Sequence, residues 1–312
     1  MDPTDSTTGG ELTPVPLRLP GGGVNLAADR WGDSAAPVVL FLHGGGQTRR
    51  SWDEAARAVS DRGWQALTVD HRGHGESDWP VEALYGWDHF ADDIAALVAG
   101  FDSPPVVVGA SLGGIAALLA QRRTGTQLYR ALVLVDVTPT MDPEGVRRII
   151  GFMGAHPEGF ATLDEASQVI SEYTGRPRPD STEGLRQVLR HENGRWRWHW
   201  DVRFLHGRDR PTGEREEMLR ELMLEGAARV RVPTLVVRGT RSELVSPEAV
   251  QEFLRAVPGA RYVDVQDAAH MVAGDQNDRF VEAVLGFLDD LPAVEDGPRP
   301  DDEDDSDKDL PT

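Results

Sequence analysis

A β-branched apolar run from Val106 to Val108 leads into Gly109-Ala110-Ser111-Leu112-Gly113 and passes at once into an apolar helical stretch. This G-x-S-x-G spacing constrains the chain more than any other feature. It requires a strand, a sharp turn and a helix to meet with a serine at the apex. Small flanking residues let strand and helix approach closely, and the strained turn presents the hydroxyl. Ser111 is therefore the candidate nucleophile. A dinucleotide fingerprint is the competing reading of a glycine-rich βα turn, but Gly109-Ala-Ser-Leu-Gly113-Gly114 does not fit G-x-G-x-x-G.

The surrounding chain repeats the strand-then-helix pattern. Val38 to Leu42, Ala66 to Val69, Val106 to Val108, Ala131 to Val135 and Thr234 to Val237 each have the length and composition of a buried parallel strand. Helical patterns occupy Trp52 to Val59, Phe90 to Val98, Leu112 to Gln121 and Pro247 to Ala256, and Arg261 to Val265 and Asp278 to Leu288 add a further strand and a closing helix. Alternation of this kind predicts an α/β fold, a mostly parallel central sheet flanked by helices. The expected organisation is a loose arm over 1–14, a core formed by 15–138 and 232–292, a helical insertion over 139–231, and a tail over 293–312. The insertion shows helical patterns and loops but no convincing strand. Its Arg195-Trp196-Arg197-Trp198-His199-Trp200 cluster either pins the insertion to the core or lines an apolar pocket.

Part of the formal charge of −20 is local: the segment from Glu295 to Asp309 carries nine acidic residues against Arg299 and Lys308, a net −7. Such a block cannot bury enough apolar surface to order itself and reads as a solubilising tail. The remaining acidity argues against nucleic-acid binding. With no cysteine, the chain lacks disulfides, thiolate metal sites and a thiol nucleophile. Residues 1–20 lack the pattern of a secretory signal, and no apolar run approaches the ~18 residues of a membrane span, so the expectation is a cytoplasmic protein away from membranes.

A serine hydroxyl needs a base to remove its proton and donors to stabilise the anion that follows. His43-Gly44-Gly45-Gly46-Gln47 follows the first strong strand, and its glycines let backbone N–H groups point at a bound oxygen. Gly45 and Leu112 are the candidate donors, with Gly44 beside a substrate. His270, in the loop after the last predicted strand with Met271 next to it, is the candidate base. For the acid, Asp136 at the end of its strand competes with Glu243, which follows Ser242 in the loop after Thr234 to Val237. The Asp70 to Ser77 turn, with its histidines and acids, reads as a tight structural turn in which Asp70 and Arg72 pair, not as a zinc site. No metal is expected.

Together these residues resemble the α/β-hydrolase fold superfamily, in a serine esterase-like branch with a helical lid. The resemblance runs from about Leu17 to Leu291 and rests on the His43-Gly44 loop, the Asp70 to Ser77 turn, the elbow at Ser111 and a late His270. It implies a Ser-His-acid triad and no cofactor. In most of the superfamily the acid stands where this chain has Ser242; in a minority it follows the preceding strand, as Asp136 does. Dehalogenase and epoxide hydrolase branches use an aspartate nucleophile, which Ser111 argues against. The implied function is hydrolysis of a small, largely apolar ester or lactone; the residues themselves offer Trp196, Trp198 and Trp200 as candidate substrate contacts, and a monomer or homodimer is expected. Carbon–carbon bond hydrolysis, cofactor-free perhydrolysis and noncatalytic ligand binding are the alternatives on the same scaffold.

Overall fold

The computed structural model describes residues 13–206, 213–269 and 277–292. Its centre is an eight-stranded sheet of β1 (Val15–Pro20), β2 (Asn25–Trp31), β3 (Val38–Leu42), β4 (Gln65–Val69), β5 (Val106–Ala110), β6 (Ala131–Val135), β9 (Thr234–Gly239) and β10 (Arg261–Val265). Spatial order is β1-β2-β4-β3-β5-β6-β9-β10. The strands from β4 to β10 in that order pair in parallel; β1 and β2 form an antiparallel hairpin that joins β4 at one edge. This hairpin adds to the strands read from the sequence, where β2 was hidden by Asp29 and Arg30 inside it.

Continuous apolar strands are explained by burial on both faces. Leu40, Leu42, Val107, Leu132 and Leu134 point into one core with Phe90, Ile94 and Leu118 from α2 (Trp87–Ala99) and α3 (Leu112–Arg122). Val39, Phe41, Val106, Val108, Val133 and Val135 point into the other, against Ala55 and Val59 of α1 (Asp53–Ser60) and Phe280, Val284 and Phe287 of Asn277–Asp289. Each strand thus divides its side chains by a period of two.

The chain between β6 and β9 carries α4 (Pro143–Gly154), α5 (Leu163–Thr174), α6 (Gly213–Ala227) and an antiparallel pair, β7 (Leu189–Glu192) with β8 (Arg195–Trp198). The expectation of a strandless insertion is therefore corrected. Asn193 and Gly194 form the turn with φ of 51° and 76°, the left-handed pair that a two-residue hairpin needs. Arg-Trp-Arg-Trp alternation is the matching strand signal. α7 (Pro247–Ala256), capped by Ser246, and α8 (Asn277–Asp289) complete the described helices. Among the described residues no helix is long and apolar enough to cross a membrane.

The expected Asp70–Arg72 pair does not form. Arg72 instead grips Asp93 of α2 in a bidentate pair, with Nε and Nη2 each 2.7 Å from a carboxylate oxygen, and also donates to the carbonyls of Leu84 and Gly22. Gly22 N–H returns to Asp93 at 2.8 Å. Sequence proximity misled here, because adjacent loop side chains diverge while the helix packed over them supplies the partner. Both charges are fully buried, so deleting one strands the other. Asp93→Ala is expected to destabilise the fold by about 3–5 kcal/mol, read from the urea midpoint.

Candidate active site

The register brings the ends of three neighbouring strands level. Leu42 of β3 lies beside Gly109 of β5, and Ala110 beside Val135 of β6. Gly44, Ser111 and Asp136 therefore emerge together at the C-terminal edge of the sheet, where α/β proteins place their chemistry.

Ser111 sits between β5 and α3 with φ 44° and ψ −109°, a conformation that costs a non-glycine residue about 1–3 kcal/mol. Two contacts show why glycines flank it. A Cβ at Gly109 would come within 2.7 Å of the Gly113 backbone, and one at Gly113 would collide with the Leu42 carbonyl. Ser111 N–H is held by Val135 O at 3.2 Å. Gly44 faces the serine, with the position of its missing Cβ 3.5 Å from Ser111 Cβ.

The glycine loop after β3 is shaped by three buried histidines. His43 Nδ1 lies 2.7 Å from Gly44 O, while its Nε2 accepts His71 N–H at 3.1 Å, which places the proton on Nδ1. By the same reasoning His74 accepts Gly46 N–H on Nε2 and donates from Nδ1 to Arg72 O. Burial pushes His43 down to about 4, and burial followed by repulsion from its histidine neighbours lowers His71. Neutral rings are what these contacts need, since a protonated His43 would present a second donor to His71 N–H. Gly44 N–H is taken by Gln47 Oε1 at 2.8 Å. Among the described residues, the N–H groups of Gly45 and Leu112 make no hydrogen bond.

Arg49 anchors the far end of this loop. Its guanidinium meets Asp29 at 2.8 Å, Asp70 at 2.5 Å and Glu76 at 2.6 Å, and its N–H donates to Asp70 at 2.6 Å. Asp70 is thus the partner of Arg49, and the turn read as an internal pair is the acidic wall of a buried arginine.

Asp136 is fully buried and has φ 48°. Its N–H is held by Val237 O at 2.7 Å, Ser242 Oγ donates to Oδ2 at 2.7 Å, and Gly239 N–H reaches Oδ1 at 3.3 Å. Glu243, the alternative acid, is engaged elsewhere: it pairs with Arg148 of α4 at 2.7 Å and raises the Tyr173 hydroxyl pKa alongside burial. His270 and Met271 lie outside the described residues. The chain leading to them is tied to the turn after β9, with Arg241 N–H on Ala268 O at 2.9 Å and Asp267 N–H on Thr240 Oγ1 at 3.0 Å.

Of the tryptophans, Trp200 stacks on His74 and its indole nitrogen comes 3.7 Å from the Cβ position of Gly46. Trp198 packs on Trp200, Phe152 and Phe160. Trp196 pairs through its backbone with Phe160, and its ring meets His191 and Arg186, so the structure does not bring it to the glycine loop as it brings Trp200. Sequence reasoning passed over Phe204 and Met153, which stand 3.6 and 4.0 Å from the Cβ position of Gly45. No local signal distinguishes either from an ordinary core residue. Backbone bonds Gly75 N–H to His199 O (2.6 Å) and Asp201 N–H to Gly73 O (2.8 Å) clamp this aromatic segment over the loop.

A model of the alpha/beta hydrolase family matches residues 39–283. The chain is 30% identical over 280 residues to an esterase of Mycobacterium tuberculosis, covering 85% of this chain and 86% of that protein. It is 29% identical to a mouse (Mus musculus) sn-1-specific diacylglycerol lipase, covering 89% and 87%. The crystal structure of E-2-(acetamidomethylene)succinate hydrolase superposes with a TM-score of 0.76 at 25% identity, covering 89% of this chain and all (100%) of that one.

The buried histidines make stability depend on pH. His43 titrates near 4 in the folded chain and near its ordinary 6.5 when unfolded, so between those values the unfolded chain binds a proton that the folded one refuses. Its contribution is complete above pH 6.5 and is lost on acidification towards pH 4, by on the order of 3 kcal/mol. Denaturant unfolding between about pH 7 and pH 5 should show this decline, and His43→Gln should make it shallower, leaving the share of His71.

Proposed function

Because the chain belongs to the α/β-hydrolase family, we propose that it is a serine hydrolase cleaving a small, largely apolar carboxylic ester or lactone through an acyl-enzyme. The observation that carries this reading is the placement of Ser111, raised on a strained turn, beside the strand that ends in buried Asp136. Relatives named as an esterase and a lipase agree with it.

In this reading Ser111 Oγ attacks the carbonyl carbon as His270 takes its proton. Negative charge gathers on the carbonyl oxygen, facing the N–H groups of Gly45 and Leu112. Collapse breaks the carbon–oxygen bond, His270 returns the proton to the departing alkoxide, and the acyl group stays on Ser111. Water then attacks with His270 as base, the carboxylic acid leaves, and the serine is restored. Asp136 orients the imidazole and stabilises its charged form. Phe204, Met153 and Trp200 supply apolar walls around the glycine loop, with Gly44, Trp198 and Met271 further along the substrate, and residues 139–231 act as the lid. No metal or cofactor takes part.

Intact-mass labelling with a small fluorophosphonate tests the assignment. One stoichiometric adduct is expected on the native chain and none on Ser111→Ala, whose ester turnover should also vanish. Asp136→Asn should lower kcat on the order of 10⁴-fold by favouring the wrong imidazole tautomer. Glu243→Gln, which breaks only a partly exposed pair with Arg148, should leave turnover within a few-fold. A native-like chain that takes no label, or a panel in which vinylogous diketones or carboxylate plus peroxide outpace esters, would reject the ester assignment.

A further inference from the structure

Ser242 lies in the turn that follows β9, the strand next to the one that leads into Asp136. Its hydroxyl is fully committed. Oγ accepts the N–H groups of Leu244 and Val245, each at 3.1 Å, and lies 2.7 Å from Asp136 Oδ2. A serine hydroxyl has one proton and two lone pairs. With both lone pairs taken by backbone N–H groups, the proton has one destination, the Asp136 carboxylate. The two N–H donors also polarise the hydroxyl, which strengthens the bond it gives.

A carboxylate with no solvent exposure is costly to bury unless it is hydrogen-bonded, and the Ser242 hydroxyl supplies one such bond in a defined direction. The Ser242 contact is the shorter of the two to this carboxylate, since Gly239 N–H reaches the other oxygen at 3.3 Å. The turn that aims Ser242 is itself held from several sides. Ser242 N–H bonds Gly239 O at 2.9 Å, and Asp142 N–H, at the start of α4, bonds Leu244 O at 2.8 Å. Gly145 of α4 lies against the Glu243 carbonyl so closely that a Cβ there would collide with it.

We propose that Ser242 is a positioning residue, whose hydroxyl holds the Asp136 carboxylate in a single orientation so that the acid can serve from the end of β6. The inference rests on Asp136 being the triad acid. It goes further in assigning a role to a serine in the loop after the adjacent strand, where a carboxylate would otherwise be expected.

The test uses the full chain and compares Ser242→Ala, Ser242→Thr, Asp136→Asn and the Asp136→Asn/Ser242→Ala double variant, with a short-chain p-nitrophenyl ester as substrate. A hydrogen bond to a charged group corresponds to roughly 10- to 100-fold in kcat, and this loss is expected for Ser242→Ala with KM unchanged within about twofold. Ser242→Thr, which keeps the hydroxyl, should recover most of the rate. In the Asp136→Asn background, removing the hydroxyl should cause little further loss, because its effect runs through the carboxylate. A merely structural serine would lower the folded fraction or shift KM and kcat together, and would act equally in both backgrounds. If Ser242→Ala loses its native circular-dichroism spectrum, Ser242→Cys replaces it, since the thiol fills the site but donates weakly. Wild-type kcat in a folded Ser242→Ala, or an undiminished effect in the Asp136→Asn background, overturns the proposal. Wild-type activity of Asp136→Asn, with Ser111→Ala inactive, instead rejects Asp136 as the acid and removes the premise on which the proposal stands.

Discussion

The close approach of α3 to the ends of β3 and β5 is the constraint on which the rest of the site depends. Gly113 lies directly against the Leu42 carbonyl, and Gly109 and Gly114 remove the side chains that would hold strand and helix apart; a Cβ on Gly114 would stand 2.5 Å from Val137. Ser111 is forced into its strained turn by this approach, and the turn persists because strand and helix are both deeply buried. The serine is not simply an exposed loop residue. Its backbone is over-determined by packing on either side, as a strained conformation requires if it is to persist.

Electrostatics behind the site follow the same logic of enforced arrangement. Burial lowers the pKa of His43 and His71, while the rings of His43 and His74 accept backbone N–H groups of the neighbouring turn and of the glycine loop. Arg49 remains charged because Asp29, Asp70 and Glu76 surround it. One side of the loop therefore uses histidine rings and the other a compensated cation. Between them, Gly45 N–H is left with no partner among the described residues. Preorganised donors of this kind stabilise developing charge without having to reorganise during a reaction.

The aromatic segment after β8 is bound to the turn after β4 through backbone hydrogen bonds at Gly73 and Gly75. Trp200 and Phe204 are consequently fixed to the same turn that supplies His74, and they share its packing. The hairpin and the glycine loop are far apart in sequence, yet they form one wall. This arrangement ties the aromatic segment to the turn whose His74 accepts Gly46 N–H.

Much of this architecture was legible in the chain. Periodicity located β3 to β6, β9 and β10 and the helices between them, because strands buried on both faces are written as continuous apolar runs. Local chemistry also marked Ser111, since only small neighbours suit its turn. Other features were hidden for identifiable reasons. β2 carries Asp29 inside the sheet only because Arg49 meets it from another element. The Asn193-Gly194 turn and the Arg-Trp alternation did announce β7 and β8, but the helical patterns around them obscured the signal. Phe204 and Met153 carried no local mark at all. The amino-acid sequence by itself determined the layered α/β scaffold and the apex serine, because periodicity and steric demand are local properties. Tertiary structure alone decided that Arg72 binds Asp93, that Glu243 turns to Arg148, and that Ser242 turns to Asp136. Those choices depend on which distant elements arrive at the same sheet edge, and a buried charge settles with the partner that packing delivers.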